Sequence, residues 1–322
     1  MTSGDTSRRF DVTLAGDANL DLLLYGLPEE LPLEHELLAS GMAVRIGGSA
    51  AITAHNLAAL GNSVGLITAS ARDDFGALCR AELSHAGVDL SHCIPAADRT
   101  GVTVHLQHAQ QRHMLTYAGA TFSLDFDRLD LGYLASARHF HMASYYLQRA
   151  LTPRIPELFA HLRQSGVSLS LDPNDDPDGT WNGGILDALH YIDILMPNER
   201  EACLLASEPG FDRAVAFLRT RVPLLVVKRG PAGASAYTAT QSWHAPTPPV
   251  TVVDAIGAGD SFNAGFLHAW LRHWPIEKAL AYANLVAAWS TTASGGTTAF
   301  REPDSLAALA AAWQREHAAA AT

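Results

Sequence analysis

The second half of this chain is divided into short strand-length runs and longer segments between them. Residues 139–142, 167–171, 192–196 and 224–227 read as buried strands, and 153–165 and a stretch near 185–189 as the helices that separate them. Such alternation argues an α/β fold with a doubly wound, mostly parallel sheet sandwiched by helices. Upstream, 10–24 mixes strand-like apolar residues with a polar insert. Residues 50–60 read as a helix stopped at Gly61, 64–69 as a strand, and 74–86 as a helix stopped at Gly87. The pattern then changes. Residues 101–107 and 112–117 are two β-rich runs joined by a short polar link, which signals a hairpin interrupting the α/β alternation. Near the end, a β-branched run at 250–253 reads as a buried strand. A Gly-Ala-Gly turn and an apolar helix over 261–271 follow it, with Asp260 at the helix start. Further helices are expected over 276–292 and 305–320.

Composition narrows the class. The chain has 322 residues, 48% hydrophobic and 17% charged, enough for a large core in one domain with an excursion. Its net charge, 22 − 33 = −11, argues against a surface for nucleic acid. The cysteines Cys79, Cys93 and Cys203 lack C-x-x-C spacing and read as reduced thiols of a cytoplasmic protein. Residues 1–9 are polar and are expected to form a flexible tail. No apolar run is long enough to span a membrane. His105, His108 and His113 lack tight chelating spacing, which speaks against zinc.

The candidate chemistry gathers at predicted strand ends. In doubly wound sheets ligands collect outside the carboxyl ends of the strands, and Asp172, Asn198, Lys228 and Asp254 all fall at or just past such ends. Gly257, Ala258 and Gly259 permit a tight turn whose bare N–H groups, with the helix dipole, suit a phosphate. Asp260 beside them is placed to accept a proton, although a capping turn alone would also explain the tetrapeptide. Asp17, Asn19 and Asp21 have period-two spacing and would share one face of a strand. Gly47-Gly48 before a helix allows close backbone approach to a ligand. Asn198 and Glu201 have the spacing of a capping box. The acidic stretch from Asp172 to Gly179 is no calcium loop, because Pro177 stands where Gly is needed and Gly183 where the bidentate Glu belongs.

Taken together, these segments resemble the PfkB/ribokinase-like carbohydrate kinases, in that family's order along nearly the whole chain. The D-x-x-G-A-G-D-x-F run from Asp254 to Phe262 matches the C-terminal signature, with Ala255 where Thr is usual. The segment from Gly47 resembles the N-terminal G-G-x-x-x-N-x-A signature, with Ile52 at the Asn position. The resemblance implies an ATP-dependent kinase with Mg²⁺, phosphorylating a hydroxymethyl group of a sugar. Asp260 would be the base, and Gly257, Ala258 and Gly259 the anion hole. Asn19 and Asp21 would bind sugar hydroxyls, with Asp17, Gly47 and Gly48 beside them. Asn198, Glu201, Lys228, Gly230 and Asn284 would serve the nucleotide. Asp254, the Ile256 backbone and the loop Ser294-Gly295-Gly296-Thr297 would hold K⁺ as an activator.

The family also implies a β lid, drawn from parts of 10–45 and 100–117, which often forms a homodimer contact. Asp176, where sugar-acid kinases of the family carry Arg, argues for a neutral sugar. The rivals are a nucleoside kinase using the same cradle and a catalytically silent sugar- or nucleotide-binding regulator.

Overall fold

The chain forms two sheets of different character, and their junction defines the site. The computed structural model describes residues 8–108 and 111–318. From the N-terminus come β1 (Phe10–Ala15), β2 (Asn19–Tyr25), β3 (Gly41–Gly47), α1 (Ser49–Ala59), β4 (Val64–Ile67), β5 (Ala69–Ser70), α2 (Asp74–His85) and β6 (Ile94–Pro95). Then follow β7 (Val102–His108), β8 (Gln111–Tyr117), α3 (Leu131–Leu134), β9 (Ala137–Met142), α4 (Ile155–Gln164), β10 (Ser168–Leu171), α5 (Ile185–Ala188) and β11 (Ile194–Leu195). The last elements are α6 (Glu199–Leu205), α7 (Phe211–Leu218), β12 (Leu224–Lys228), β13 (Ala234–Tyr237), β14 (Ser242–Ala245), α8 (Ala258–Trp270), α9 (Ile276–Ser290) and α10 (Pro303–Ala318).

The larger sheet has strand order β14-β13-β12-β11-β10-β9-β1-β4, parallel from β12 to β4, with β13 and β14 antiparallel at one edge. Alternation places Leu225 and Val227 of β12 in one apolar layer and Leu224 and Val226 in the other. Both faces are therefore covered, as the sequence pattern requires. The face under α8 has a polar middle. His139 bonds Ser168 and Ser170 at 2.7 Å, and His141 bonds Ser170 at 2.7 Å. Burial pushes both imidazoles down to about 3, so they are neutral there.

The smaller sheet runs β3-β2-β7-β8, with β2 and β7 parallel and both outer pairs antiparallel. Register gives it two unlike faces. Leu22 stands beside Val44 and Val104, and Val104 beside Leu115; Leu24 stands beside Met42 and Leu106. That face is apolar and open: Met42 is 67% exposed and Leu115 59%. The other face carries Asp21, Arg45, Thr103, Thr116, Tyr25, Gln107 and His105, and Tyr25, Arg45 and Gln107 reach the segment from Asp254 to Ser294.

Four sequence expectations need correction. The run 10–24 is two strands in different sheets, because Gly16, Asp17 and Ala18 carry the chain from one to the other. The run 250–253 is not a strand: Pro246, Pro248 and Pro249 lead the chain off the edge strand β14, and prolines offer no N–H to a ladder. Asp254 consequently follows no strand. Arg8 and Arg9, assigned to a flexible tail, are tied down: Arg8 donates to the carbonyls of Ala135 and Ser165, and Arg9 pairs with Asp89 at 2.6 Å. The rest of that tail lies outside the described residues, as do 319–320 at the end of the last helix. No described helix is long and apolar enough to cross a membrane.

Candidate active site

Glycine geometry decides where α8 begins. Gly257 is its N-cap at φ 72°, and a Cβ there would lie 2.5 Å from Gly296 Cα. Only glycine meets both conditions. The helix starts at Ala258, earlier than the sequence pattern suggested, which puts Asp260 in the first turn; no side chain caps it. Its positive dipole end lies at the cavity that Ala258 and Gly259 line; the Ala258 N–H is held by the Ala255 carbonyl at 3.3 Å, and no side chain caps the rest of the turn. Ile52, at the family's Asn position, braces this turn. Its Cγ2 would be 2.9 Å from a Cβ on Gly296, and its Cδ1 3.3 Å from one on Gly257.

A cluster of buried charges surrounds the turn. Asp172, just past β10, is fully buried and accepts from Lys228 Nζ and from Asn263 Nδ2 at 2.6 Å. Burial pushes the Asp260 carboxyl up to about 8; the Asp172 charge adds to this and Lys228 opposes it. Glu201 is pushed up to about 7 by burial and by Asp172. Burial works against the Lys228 charge, but Asp172, Glu201 and Asp260 outweigh it and hold the ammonium protonated.

The polar end of the site forms around β2 and the start of α1. Asn19 and Asp21 do share one face of β2, but Asp17 lies in the preceding turn. Its carboxylate accepts from Ser49 N and Ala50 N at 3.2 Å and from Ser144 Oγ at 3.4 Å, so it anchors α1. Asn19 Oδ1 accepts from Thr121 Oγ1 at 2.7 Å. Gly47 and Gly48 are close-approach positions: a Cβ on Gly47 would meet Asp21 Oδ1 at 2.2 Å, and one on Gly48 the Asp17 carbonyl at 2.8 Å. Ser49 Oγ accepts from Asn174 Nδ2 at 2.9 Å, and its hydroxyl works against the rise of the Asp260 carboxyl. Asp176 does not face this pocket as a free charge. Its oxygens accept from the N–H groups of Asp178, Thr180 and Trp181 and from the Thr180 hydroxyl, all within its own loop.

The apolar end is a cavity of about 420 Å³. Lys228, Gly230 and Asn284 line it with Val250, Val252 and Phe262. Asn284 donates to the carbonyls of Ala245 at 2.8 Å and Pro246 at 3.2 Å, holding the chain where it leaves β14. Asn198 and Glu201 form the expected capping box on α6, and Asn198 also bridges to Lys228.

Asp254 joins the two ends. Its Oδ1 accepts from Ile256 N at 2.9 Å and Gln107 Nε2 at 3.3 Å. Its Oδ2 accepts from Gly295 N at 3.0 Å and Tyr25 OH at 3.3 Å. Tyr25 OH also bonds Ser294 Oγ at 2.5 Å. Tyr25, Gln107, Thr121 and Ser144 carried no signal of their own in the sequence, because the partners that give them a role lie on distant segments. Asn263 could have been found by its spacing of three from Asp260 on one helix face.

The arrangement places a phosphate-binding helix end and a carboxylate of raised basicity between an apolar cavity and a polar, hydroxyl-rich pocket. It also makes stability depend on pH. With a folded pKa of about 8 against the ordinary 3.8, Asp260 keeps a proton that the unfolded chain releases. Its contribution is then fully present below about pH 4 and is lost as pH rises toward 8. Asp260→Asn cannot titrate, so its melting temperature relative to wild type should climb between pH 5 and pH 8 in ligand-free thermal melts. A difference constant across that range would show that the carboxyl is not raised.

Known proteins agree with this geometry. Residues 10–303 match the model of the pfkB family carbohydrate kinases. An ATP-dependent ribose-1-phosphate kinase of Halopiger xanaduensis is 35% identical over 79% of this chain and 82% of its own length. A fructokinase of Salmonella typhimurium is 31% identical over 89% of this chain and 95% of its own. Among solved structures, a candidate ribokinase II from E. coli in complex with ATP and Mg²⁺ superposes with a TM-score of 0.81 at 24% identity, covering 94% and 99% of the two chains. The chain belongs to the pfkB family of carbohydrate kinases.

Proposed function

We propose that this kinase transfers the γ-phosphoryl group of ATP to a hydroxymethyl group of a neutral sugar, with Asp260 receiving the hydroxyl proton. The observation that carries the reading is the uncapped first turn of α8, with Asp260 inside it, between the apolar cavity and the pocket of β2. The cavity walls suit a nucleobase, and Lys228 with the N–H groups of Gly257, Ala258 and Gly259 suits its phosphates. Mg²⁺ would be held through its waters beside the capping box of Asn198 and Glu201, and bound there it would neutralise charge on the phosphates. The acidic side chains Asp17, Asp21 and Asp260 at the sugar end offer a sugar-acid carboxylate no bidentate cation, which supports a neutral sugar in place of the Asp176 argument. The fructokinase name of one relative agrees with a neutral sugar, and the ribose-1-phosphate name of another does not. The free cysteines and the use of ATP support the cytoplasm as its location.

Energetics require more than the glycines. A helix end supplies about 0.3–2 kcal/mol, against the roughly 8–23 kcal/mol of a typical enzyme. Positioning two reactants can supply about 7–11 kcal/mol. We read the small sheet as the lid that provides it and excludes water, a competing nucleophile. Its open apolar face supports a homodimer through the lid. Light scattering on the purified protein should give a dimer mass that Leu115→Glu halves. A monomeric wild type at micromolar concentration would dispose of this interface.

The expected K⁺ site does not fit the residues present. The four lone-pair positions of the Asp254 carboxylate are filled by N–H and O–H donors, two of them from the lid. Arg45 Nε takes the Ser294 carbonyl at 3.2 Å. We infer that the lid braces this turn in place of a cation. Turnover should be the same in potassium and in tetramethylammonium buffers, and clear activation by potassium would refute the inference.

A coupled ADP-release screen over pentoses, hexoses and nucleosides tests the substrate class. With the best sugar, Asp260→Asn should lower kcat by about 10²–10⁴-fold with little change in KM. Wild-type kcat/KM should rise with pH toward 8 as Asp260 gives up its proton, and that rise should be absent in Asp260→Asn. A nucleoside preferred over every sugar would favour the nucleoside kinase, no wild-type turnover the silent regulator, and wild-type-like turnover in Asp260→Asn would remove it as the base.

A further inference from the structure

The lid carries a polar group that nothing in the protein satisfies. His105 lies at the centre of the inner face of β7, between Leu23 of β2 and Met114 of β8, and is only 5% exposed. Among the described residues, neither ring nitrogen has a hydrogen-bond partner. Buried polar groups are almost always paired, so an unpaired imidazole in a lid calls for a partner that is absent from the chain itself. Its nearest charged group is Asp21, also 5% exposed, with Nε2 3.4 Å from Oδ1 and no hydrogen-bond alignment. Asp21 in turn packs on Gly47, at the start of α1 and close to Asp17 and Asp260 through Gly48 and Ser49. The inner face continues in kind, since Thr103 and Thr116, which pair beside Asp21, bond each other at 3.1 Å.

One chemical group satisfies both partners at once. A hydroxyl has one hydrogen to donate and lone pairs to accept with. A carboxylate only accepts, and the N–H of a neutral imidazole donates. We propose that His105 is a specificity-determining residue: with Asp21 it takes a single hydroxyl of a polyhydroxylated sugar, which donates to Asp21 Oδ1 and accepts from His105 Nε2–H. This rests on the sugar-kinase reading above and adds to it a lid residue that reads the substrate. Because β2 and β7 are adjacent strands of one sheet, both groups move with the lid. The contact therefore exists only with the lid closed over its substrate, so that a sugar lacking this hydroxyl also closes the lid less well.

The test compares wild type, His105→Leu and His105→Gln on the best sugar from the ADP-release screen and on its monodeoxy analogues. His105→Leu should raise the KM for sugar roughly 10–100-fold, with the KM for ATP within about two-fold of wild type. His105→Gln, which keeps a donor, should recover part of the loss. One monodeoxy analogue should be a poor substrate of wild type and show no further penalty in His105→Leu, while the others add their penalties independently. An unchanged sugar KM in folded His105→Leu, or additive penalties for every analogue, would mean that the imidazole only packs or holds a sealed water. If circular dichroism shows His105→Leu unfolded, His105→Gln and the analogue series on wild type decide alone. Wild type active on nucleosides but on no free sugar would overturn the neutral-sugar reading, and the same comparison would then be read on the hydroxyls of the nucleoside.

Discussion

Burying several carboxylates around one lysine is the constraint on which the site depends. Asp172 has no exposure, and Asp260 and Glu201 little, and among the described residues the Asp172 charge is met by Lys228, the amide of Asn263 and the N–H of Asn174. Removing one partner of a buried pair typically costs about 3–5 kcal/mol. Four elements must therefore arrive together: β10 brings Asp172, β12 brings Lys228, α6 brings Glu201, and α8 brings both Asp260 and Asn263. Stability alone would favour an apolar cluster, so this arrangement is retained for what it does to protons and phosphates. A carboxyl held near neutrality is a stronger base than an ordinary aspartate, and a lysine held firmly protonated keeps its charge for an incoming phosphate.

Two further constraints connect that cluster to the fold. The first is close packing of backbone on backbone at Gly257 and Gly296, with Ile52 filling the space beside them. It fixes the start of α8, and with it the direction of the first-turn N–H groups. The second is the two-faced smaller sheet. One face is apolar and unpartnered; the other reaches the phosphate turn through Tyr25, Gln107 and Arg45. The sheet thus touches both the polar pocket and the turn beside the apolar cavity.

Much of this was legible in the order of residues. Strand and helix alternation follows from burial on both faces of a parallel sheet, so it shows directly in the runs from 139 to 227. The motif glycines were legible because few residues tolerate a positive φ or so close an approach. The capping box of Asn198 and Glu201 was legible because it is local, three residues apart on one turn. What failed did so where local preference lost to context. Residues 250–253 have strand chemistry, but prolines had already taken the chain off the sheet, and Val250 and Val252 line a cavity. Asp17 keeps the period of Asn19 and Asp21 but not their strand, since the chain changes sheets between them. Asp176 has the charge to repel an acid, but its own loop consumes it.

The sequence by itself determined the α/β class, the family and the glycine turn that leads into Asp260, since each depends on contacts between near neighbours in the chain. Only the tertiary structure decided the raised basicity of Asp260, the four donors on Asp254, the unpaired His105 and the use of Ile52 as a brace. These are properties of groups brought together from distant segments, such as the 229 positions between Tyr25 and Asp254. Desolvation and pairing depend on what surrounds a group in space, and no spacing along the chain encodes that surrounding.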